Sequence, residues 1–74
     1  MNVITVSAVQ GGWVVDHPPA FLPLMFLAGG KAEQKARELA ERVSQRGHAA
    51  EVQIYDLAGR LAGRFQYGGE VAGV

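Results

Sequence analysis

Histidine is the residue of this 74-residue chain best suited to bind a metal ion, and it occurs at His17 and His48. The chain has no cysteine, so a metal site would need a scattered carboxylate such as that of Asp16. Adjacent strand residues point to opposite faces, which prevents Asp16 and His17 from binding one ion. Ser7 and Ser44 have no histidine or acid at a spacing diagnostic of a nucleophile. The sequence therefore predicts a non-enzymatic protein without a metal or cofactor.

The tripeptide Gly29-Gly30-Lys31 has the composition of a phosphate-binding loop, because amides at a helix N-terminus attract anions and lysine adds positive charge. The full motif needs a glycine five residues before Gly30 and Ser or Thr after Lys31, where this sequence has Met25 and Ala32. We interpret the two glycines as a flexible turn into a helix.

The basic residues lie between positions 31 and 64, which suggests nucleic-acid binding as the alternative function. Glu33, Glu38 and Glu41 are interleaved with them, as expected of a solvated, ion-paired helix face. The formal net charge is zero, which disfavours strong binding to polyelectrolytes. The candidate nucleic-acid contacts are Arg37, Arg42, Arg60 and Arg64.

Length and composition predict one small globular domain, with 49% hydrophobic and 19% charged residues. A chain of this size buries only about 60–65% of its unfolded surface, and no disulfide can compensate. We therefore expect self-association. The longest apolar stretch, residues 20–28, contains Pro23 and is far shorter than the roughly 20 residues of a membrane-spanning helix. The start of the chain lacks the basic side chains of a signal peptide, so we expect no membrane contact and a cytoplasmic location.

Residues 3–17 predict a β-hairpin, because β-branched and apolar residues alternate on both sides of a turn containing Gly11. Trp13 is expected to anchor the core, and Gly12 to leave room for a close approach. After Pro23, the apolar run to Leu27 predicts a short edge strand, since proline is excluded from central strands.

From residue 31 to residue 46 the period becomes helical, with one apolar stripe that faces a core. Glu33–Arg37 and Glu38–Arg42 are spaced for ion pairs. Gly47 is expected to end the helix in the left-handed conformation. The stripe consists of Ala32, Ala36, Leu39, Ala40 and Val43.

A second hairpin is predicted over residues 51–67, with its turn at residues 57–60. Asp56 can accept bonds from backbone amides of the turn, and Gly59 suits its left-handed position.

These elements predict a two-layer α+β domain, β-β-(β)-α-β-β, in which one helix packs on one face of an antiparallel sheet. The domain is expected to span residues 1–67, followed by a flexible tail at 68–74. The uncovered sheet face or the apolar run should then present an apolar patch, and a homodimer is the simplest way to cover it. The candidate self-association residues are Phe21, Leu22, Leu24, Met25, Phe26 and Leu27.

Three segments together resemble a family of small bacterial proteins called domain of unknown function 2188. They are Gly12-Trp13-Val14-Val15, the alanine-rich helix from residue 32 to residue 40, and the strand–Asp–x–x–Gly–Arg–strand pattern of residues 52–61. The resemblance spans roughly residues 3–67. The sequence departs from the family's pattern at two places. At Gly29-Gly30 the family tends to have threonine or serine, and the connection formed here by residues 18–27 is shorter and more polar in the family. The resemblance implies no reaction, because the function of that family is itself unknown.

Overall fold

The described part of the chain, residues 2–17 and 23–68 of a computed structural model, contains five strands and one helix. The predicted α+β class is confirmed, because the strands form one sheet and the apolar stripe of the helix belongs to the same core as the strands. In chain order the elements are β1 (Asn2–Val9), β2 (Gly12–Asp16), β3 (Leu24–Phe26), α1 (Gly29–Gln45), β4 (Ala50–Tyr55) and β5 (Leu61–Tyr67).

The sheet has the strand order β3-β2-β1-β4-β5 and is mostly, not wholly, antiparallel. Strands β1 and β4 are parallel, whereas every other neighbouring pair is antiparallel. The physical reason lies in the crossover. Strand β3 runs in the direction of β1, and a helix that follows it returns the chain so that β4 starts in that same direction.

The core lies between the helix and one face of the sheet. Ile4 and Val6 of β1 are buried opposite Val52 and Ile54 of β4. Three helix residues at this interface are fully buried alanines, so the backbone of α1 can approach the sheet closely. The buried residues of the helix are Ala32, Ala36, Ala40 and Val43, as predicted for the apolar stripe, and Leu39 packs beside them.

The helix begins at Gly29, two residues before the predicted start, and no side chain caps it. Its end is as predicted: Gly47 has φ +88°. The amide of Gly47 donates to the Ser44 carbonyl at 2.9 Å, and that of His48 donates to the Val43 carbonyl at 3.2 Å. This pair of bonds is a Schellman motif, which satisfies carbonyls that the end of the helix would otherwise leave unpaired.

One of the two predicted ion pairs on the helix is present. Arg37 pairs with Glu33. The prediction for Glu38 is wrong, because its carboxylate lies 4.0 Å from Lys35 Nζ, one turn toward the N-terminus, instead of pairing with Arg42.

The turns of both hairpins follow the predicted chemistry. Gly11 has φ +89° in the turn between β1 and β2. Asp56 Oδ1 accepts bonds from the amides of Ala58 and Arg60, each at 2.9 Å, and Gly59 has φ +81°. In β5, Ala62 has no partner on β4, so the register shifts there as a β-bulge.

Phe21, Leu22 and residues 69–74 of the predicted tail lie outside the described residues. The division into a domain and a tail therefore stays a prediction.

Candidate self-association surface

Among the described residues that were predicted for self-association, three in strand β3 and just after it have exposed apolar side chains. The exposed fractions are 42% for Leu24, 67% for Met25 and 91% for Leu27. We call these three residues the β3 cluster. Phe26 differs from them, because it packs against the core opposite Trp13 of β2.

The exposure of the β3 cluster follows from the position of its strand. Strand β3 is an edge strand of the described sheet, and β2 is its neighbour. Met25 lies opposite Val14, on the face of the sheet that the helix does not cover. Leu24 lies opposite the buried Val15, so it shares the helix-covered face but sits at its rim. The strand is therefore anchored by one side chain, Phe26, and presents the others to solvent.

Two glycines allow β3 and the start of the helix to lie close to β2. A Cβ at Gly12 would lie 2.5 Å from the carbonyl oxygen of Phe26, which leaves no space for a side chain. A Cβ at Gly29 would lie 2.8 Å from Cε2 of the Trp13 indole. The predicted role of Gly12 in a close approach is thus confirmed, and the contact at Gly29 is a second one of the same kind.

The uncovered face of the sheet is mainly polar, so of the two places where an apolar patch was expected, the apolar run is the one that exposes large apolar side chains. At its centre, Thr5 and Ser7 of β1 lie opposite Gln53 and Tyr55 of β4. Strand alternation that buries Ile4, Val6 and Val52 on the helix side necessarily turns these polar residues outward. The remaining residues on this face are Val3, Val9, Gly12, Val14, Asp16, Met25, Glu51, Leu61, Arg64 and Gln66.

A hydrogen-bonded network crosses this polar face and has an acid at its centre. Glu51 is only 6% exposed. Its Oε2 accepts a bond of 2.6 Å from Gln53 Nε2, and its Oε1 accepts one of 3.3 Å from Gln66 Nε2. The Tyr55 hydroxyl donates to Gln53 Oε1 at 2.6 Å, and Arg64 Nε lies 3.9 Å from the carboxylate. The hydrogen bonds from Gln53 and Gln66, with the charge of Arg64, lower the pKa of Glu51 despite its burial.

A second group of exposed apolar side chains lies at the opposite edge of the sheet, and sequence reasoning did not find it. Leu61 and Phe65 of β5 are exposed there, Phe65 by 39%, and Leu57 is exposed in the turn before β5. The guanidinium of Arg37 lies 4.8 Å from the centroid of the Phe65 ring, so the helix covers this ring with a cation. The alternation of residues in β5 indicates that these side chains are apolar on one face, but it does not indicate that β5 lies at an edge of the sheet.

The four arginines predicted for nucleic-acid contact do not share one surface. Arg37 lies above the helix-covered face, over Phe65, whereas Arg64 lies opposite Gln53 on the uncovered face. Arg60 is in the turn before β5, and Arg42 is in the last turn of the helix. Arg37 and Arg64 also have acidic neighbours, in the ion pairs with Glu33 and Glu51.

The described residues hold no group of three or more histidine, cysteine or acidic residues placed to bind a metal ion. A shallow depression beside the first turns of the helix is lined by Gly30, Glu33, Gln34 and Arg37. It is open to solvent and its ionic side chains pair with each other, so it carries no recognisable chemistry. Within residues 2–17 and 23–68, no helix has the length and apolar character needed to span a membrane.

Comparison with known proteins returns no match to a protein-family model, to a curated protein or to a solved structure. The resemblance to domain of unknown function 2188 therefore stays a hypothesis based on the motifs.

Proposed function

We propose that this protein is a small non-enzymatic interaction module that self-associates through the β3 cluster. The observation that supports the proposal is the exposure of Leu24, Met25 and Leu27 together at an edge of the sheet. Burying apolar surface contributes about 25 cal/mol for each Å², so covering these side chains stabilises an assembly. A second copy of the chain is the partner of this proposal.

The chemistry of the β3 segment favours a symmetric contact. Residues 23–28 carry no charged side chain, so two copies can approach about a twofold axis without like-charge repulsion. An edge strand also offers backbone amides and carbonyls to a second strand. The apolar side chains and the position of β3 at the edge of the described sheet thus support the same partner.

Nucleic-acid binding remains the alternative function, and the placement of the arginines gives it less support. A strong electrostatic footprint needs several cations on one face, whereas Arg37 and Arg64 lie on opposite sides of the sheet. The test is salt-sensitive retardation of single-stranded and duplex DNA or RNA. Retardation that weakens in Arg42→Ala and Arg60→Ala variants would favour the alternative.

Sedimentation equilibrium of the full chain, from micromolar to millimolar concentration, tests the proposal. We expect the mass to rise above that of one chain, and a Met25→Lys, Leu27→Lys double variant to lose mass relative to the wild type. Leu57→Lys is the matched control, because Leu57 is a similarly exposed leucine (72%) in the turn before β5. A wild-type mass of one chain at millimolar concentration would contradict the proposal, as would a double variant whose mass equals that of the wild type.

A further inference from the structure

The free edge of β5 is the longest unpaired strand edge in the described sheet. Strand β5 has seven residues, whereas β3, at the other edge, has three. The bulge at Ala62 twists the beginning of β5 away from regular pairing, and the part after it, residues 63–67, pairs with β4 without interruption. This stretch contains no proline and no lysine, the residues that commonly protect exposed edges.

We infer that residues 63–67 form a second self-association contact, in which β5 pairs antiparallel with β5 of another copy about a twofold axis at Phe65. This contact is separate from the β3 cluster and does not depend on it. Two considerations decide the register of this contact: the charge of Arg64 and the number of residues that can pair. An axis at Arg64 would place two guanidinium groups directly opposite each other, which is destabilising, whereas an axis at Phe65 pairs all five regular residues.

With the axis at Phe65, the cation of each copy lies opposite a neutral hydrogen-bonding side chain of the other copy. Arg64 then lies opposite the partner's Gln66, whose amide already donates to the carboxylate of the partner's Glu51. The Arg64 side chain is 59% exposed, so it is accessible to a second partner. Each copy thus presents a cation next to an acid-centred network of the other, twice across the axis.

On the helix-covered face, the same register places one aromatic ring opposite another and places a second kind of ring opposite a glycine. Phe65, which is 39% exposed in the single chain, lies opposite the partner's Phe65, so each ring buries apolar surface of the other. Gly63 lies opposite the partner's Tyr67 and has no side chain to obstruct the ring. Removing water from around Phe65 also strengthens its contact with the Arg37 guanidinium.

Together with the β3 cluster, this contact gives each chain two different symmetric interfaces, so association does not stop at two chains. Sedimentation equilibrium at high concentration should give a wild-type mass above that of a dimer. The main test is Gly63→Lys, because a Cβ at Gly63 meets only ordinary contacts, the nearest being Ile54 Cδ1 at 3.7 Å. Its long side chain would fill the space that Gly63 leaves open for the partner's Tyr67 ring. Phe65→Lys is a second variant that introduces charge at the axis itself.

We expect a folded Gly63→Lys or Phe65→Lys variant to fall to the mass of two chains, held by the β3 cluster alone. The Met25→Lys, Leu27→Lys variant should also fall to two chains, held by β5 alone, and combining both changes should give one chain. Trp13 is the only tryptophan, so its fluorescence reports whether each variant is folded. A folded β5 variant with the full wild-type mass, or a β3 double variant with the mass of one chain, would overturn the β5 contact and leave the proposed function standing. A wild-type mass of one chain would refute both.

Discussion

Gln53 Nε2 donates a hydrogen bond of 2.6 Å to the carboxylate of Glu51, two residues earlier on the same strand. The bond fixes a buried acid on the face of the sheet that the helix leaves open. Hydrogen bonds between an ionised and a neutral group are stronger than those between neutral groups. Glu51 is therefore held in its charged form, and its ionisation is linked to the stability of the fold.

We predict that Glu51→Gln lowers the urea midpoint of unfolding at neutral pH and has little effect in acid. The pKa of Glu51 is lowered from its ordinary value of 4.5 by hydrogen bonds from Gln53 and Gln66. A lowered folded-state pKa stabilises the fold above the unfolded-state pKa, and this stabilisation is lost as the pH falls through the folded-state pKa. Urea unfolding of both proteins, from neutral pH to well below 4.5, measures the difference.

The control for that titration is Glu41→Gln, which changes an exposed acid of the helix. We expect its urea midpoint to stay close to that of the wild type at every pH. If the urea midpoint of Glu51→Gln stayed below that of the wild type by the same amount in acid, the Glu51 side chain would contribute through shape and packing rather than through its charge.

Two adjacent glycines at the start of the helix should respond in opposite directions to alanine. At Gly29 the new Cβ would lie 2.8 Å from the rigid Trp13 indole, so we expect Gly29→Ala to destabilise the fold by about 1–3 kcal/mol. At Gly30 a Cβ meets nothing within 4 Å, and we expect Gly30→Ala to stabilise by about 0.5 kcal/mol. Urea unfolding followed by Trp13 fluorescence measures both. Equal effects of the two changes would mean that the indole moves aside at little cost.

Local patterns were sufficient to predict most elements of this fold. Gly47 and Gly59 were predicted to adopt positive φ because their neighbours define a helix end and a hairpin turn, and both do so. The apolar stripe from Ala32 to Val43 identified the buried side of the helix. Each of these features depends on residues a few positions apart, where spacing and side-chain chemistry determine the backbone.

The parallel pairing of β1 with β4 and the network around Glu51 could not be predicted in the same way. Alternation shows that Glu51, Gln53 and Tyr55 share a face, but not which neighbours oppose them. Gln66 and Glu51 are 15 residues apart in the chain, and they meet only because the register of β4 and β5 places them opposite each other. The polar character of the uncovered face likewise depends on which strands lie side by side. These features arise from contacts distant in sequence, which composition and period do not encode.

The turn between β4 and β5 should depend on a single acceptor atom. Asp56 Oδ1 accepts bonds of 2.9 Å from the amides of both Ala58 and Arg60. We predict that Asp56→Ala destabilises the fold by about 1 kcal/mol, because both amides then have only water as a partner. Asp56→Asn is the matched variant, since its amide oxygen can occupy the same position. Thermal or urea unfolding should rank the proteins as wild type, then Asn, then Ala, and an Asn variant as unstable as the Ala variant would show that the charge is required.

The close approach of the helix to the sheet makes the size of its buried residues critical. Ala36 is completely buried in the middle of the stripe, between Ala32 and Ala40. We predict that Ala36→Leu destabilises the fold by about 1–3 kcal/mol, because three added carbon atoms have to displace the helix or distort neighbouring side chains. Gln34→Leu is the control: Gln34 is exposed on the same helix, and leucine is an equally good helix former, so its unfolding midpoint should change little. If Ala36→Leu were as stable as the wild type, the helix would have to sit farther from the sheet than its alanines indicate, or leave a void that leucine fills.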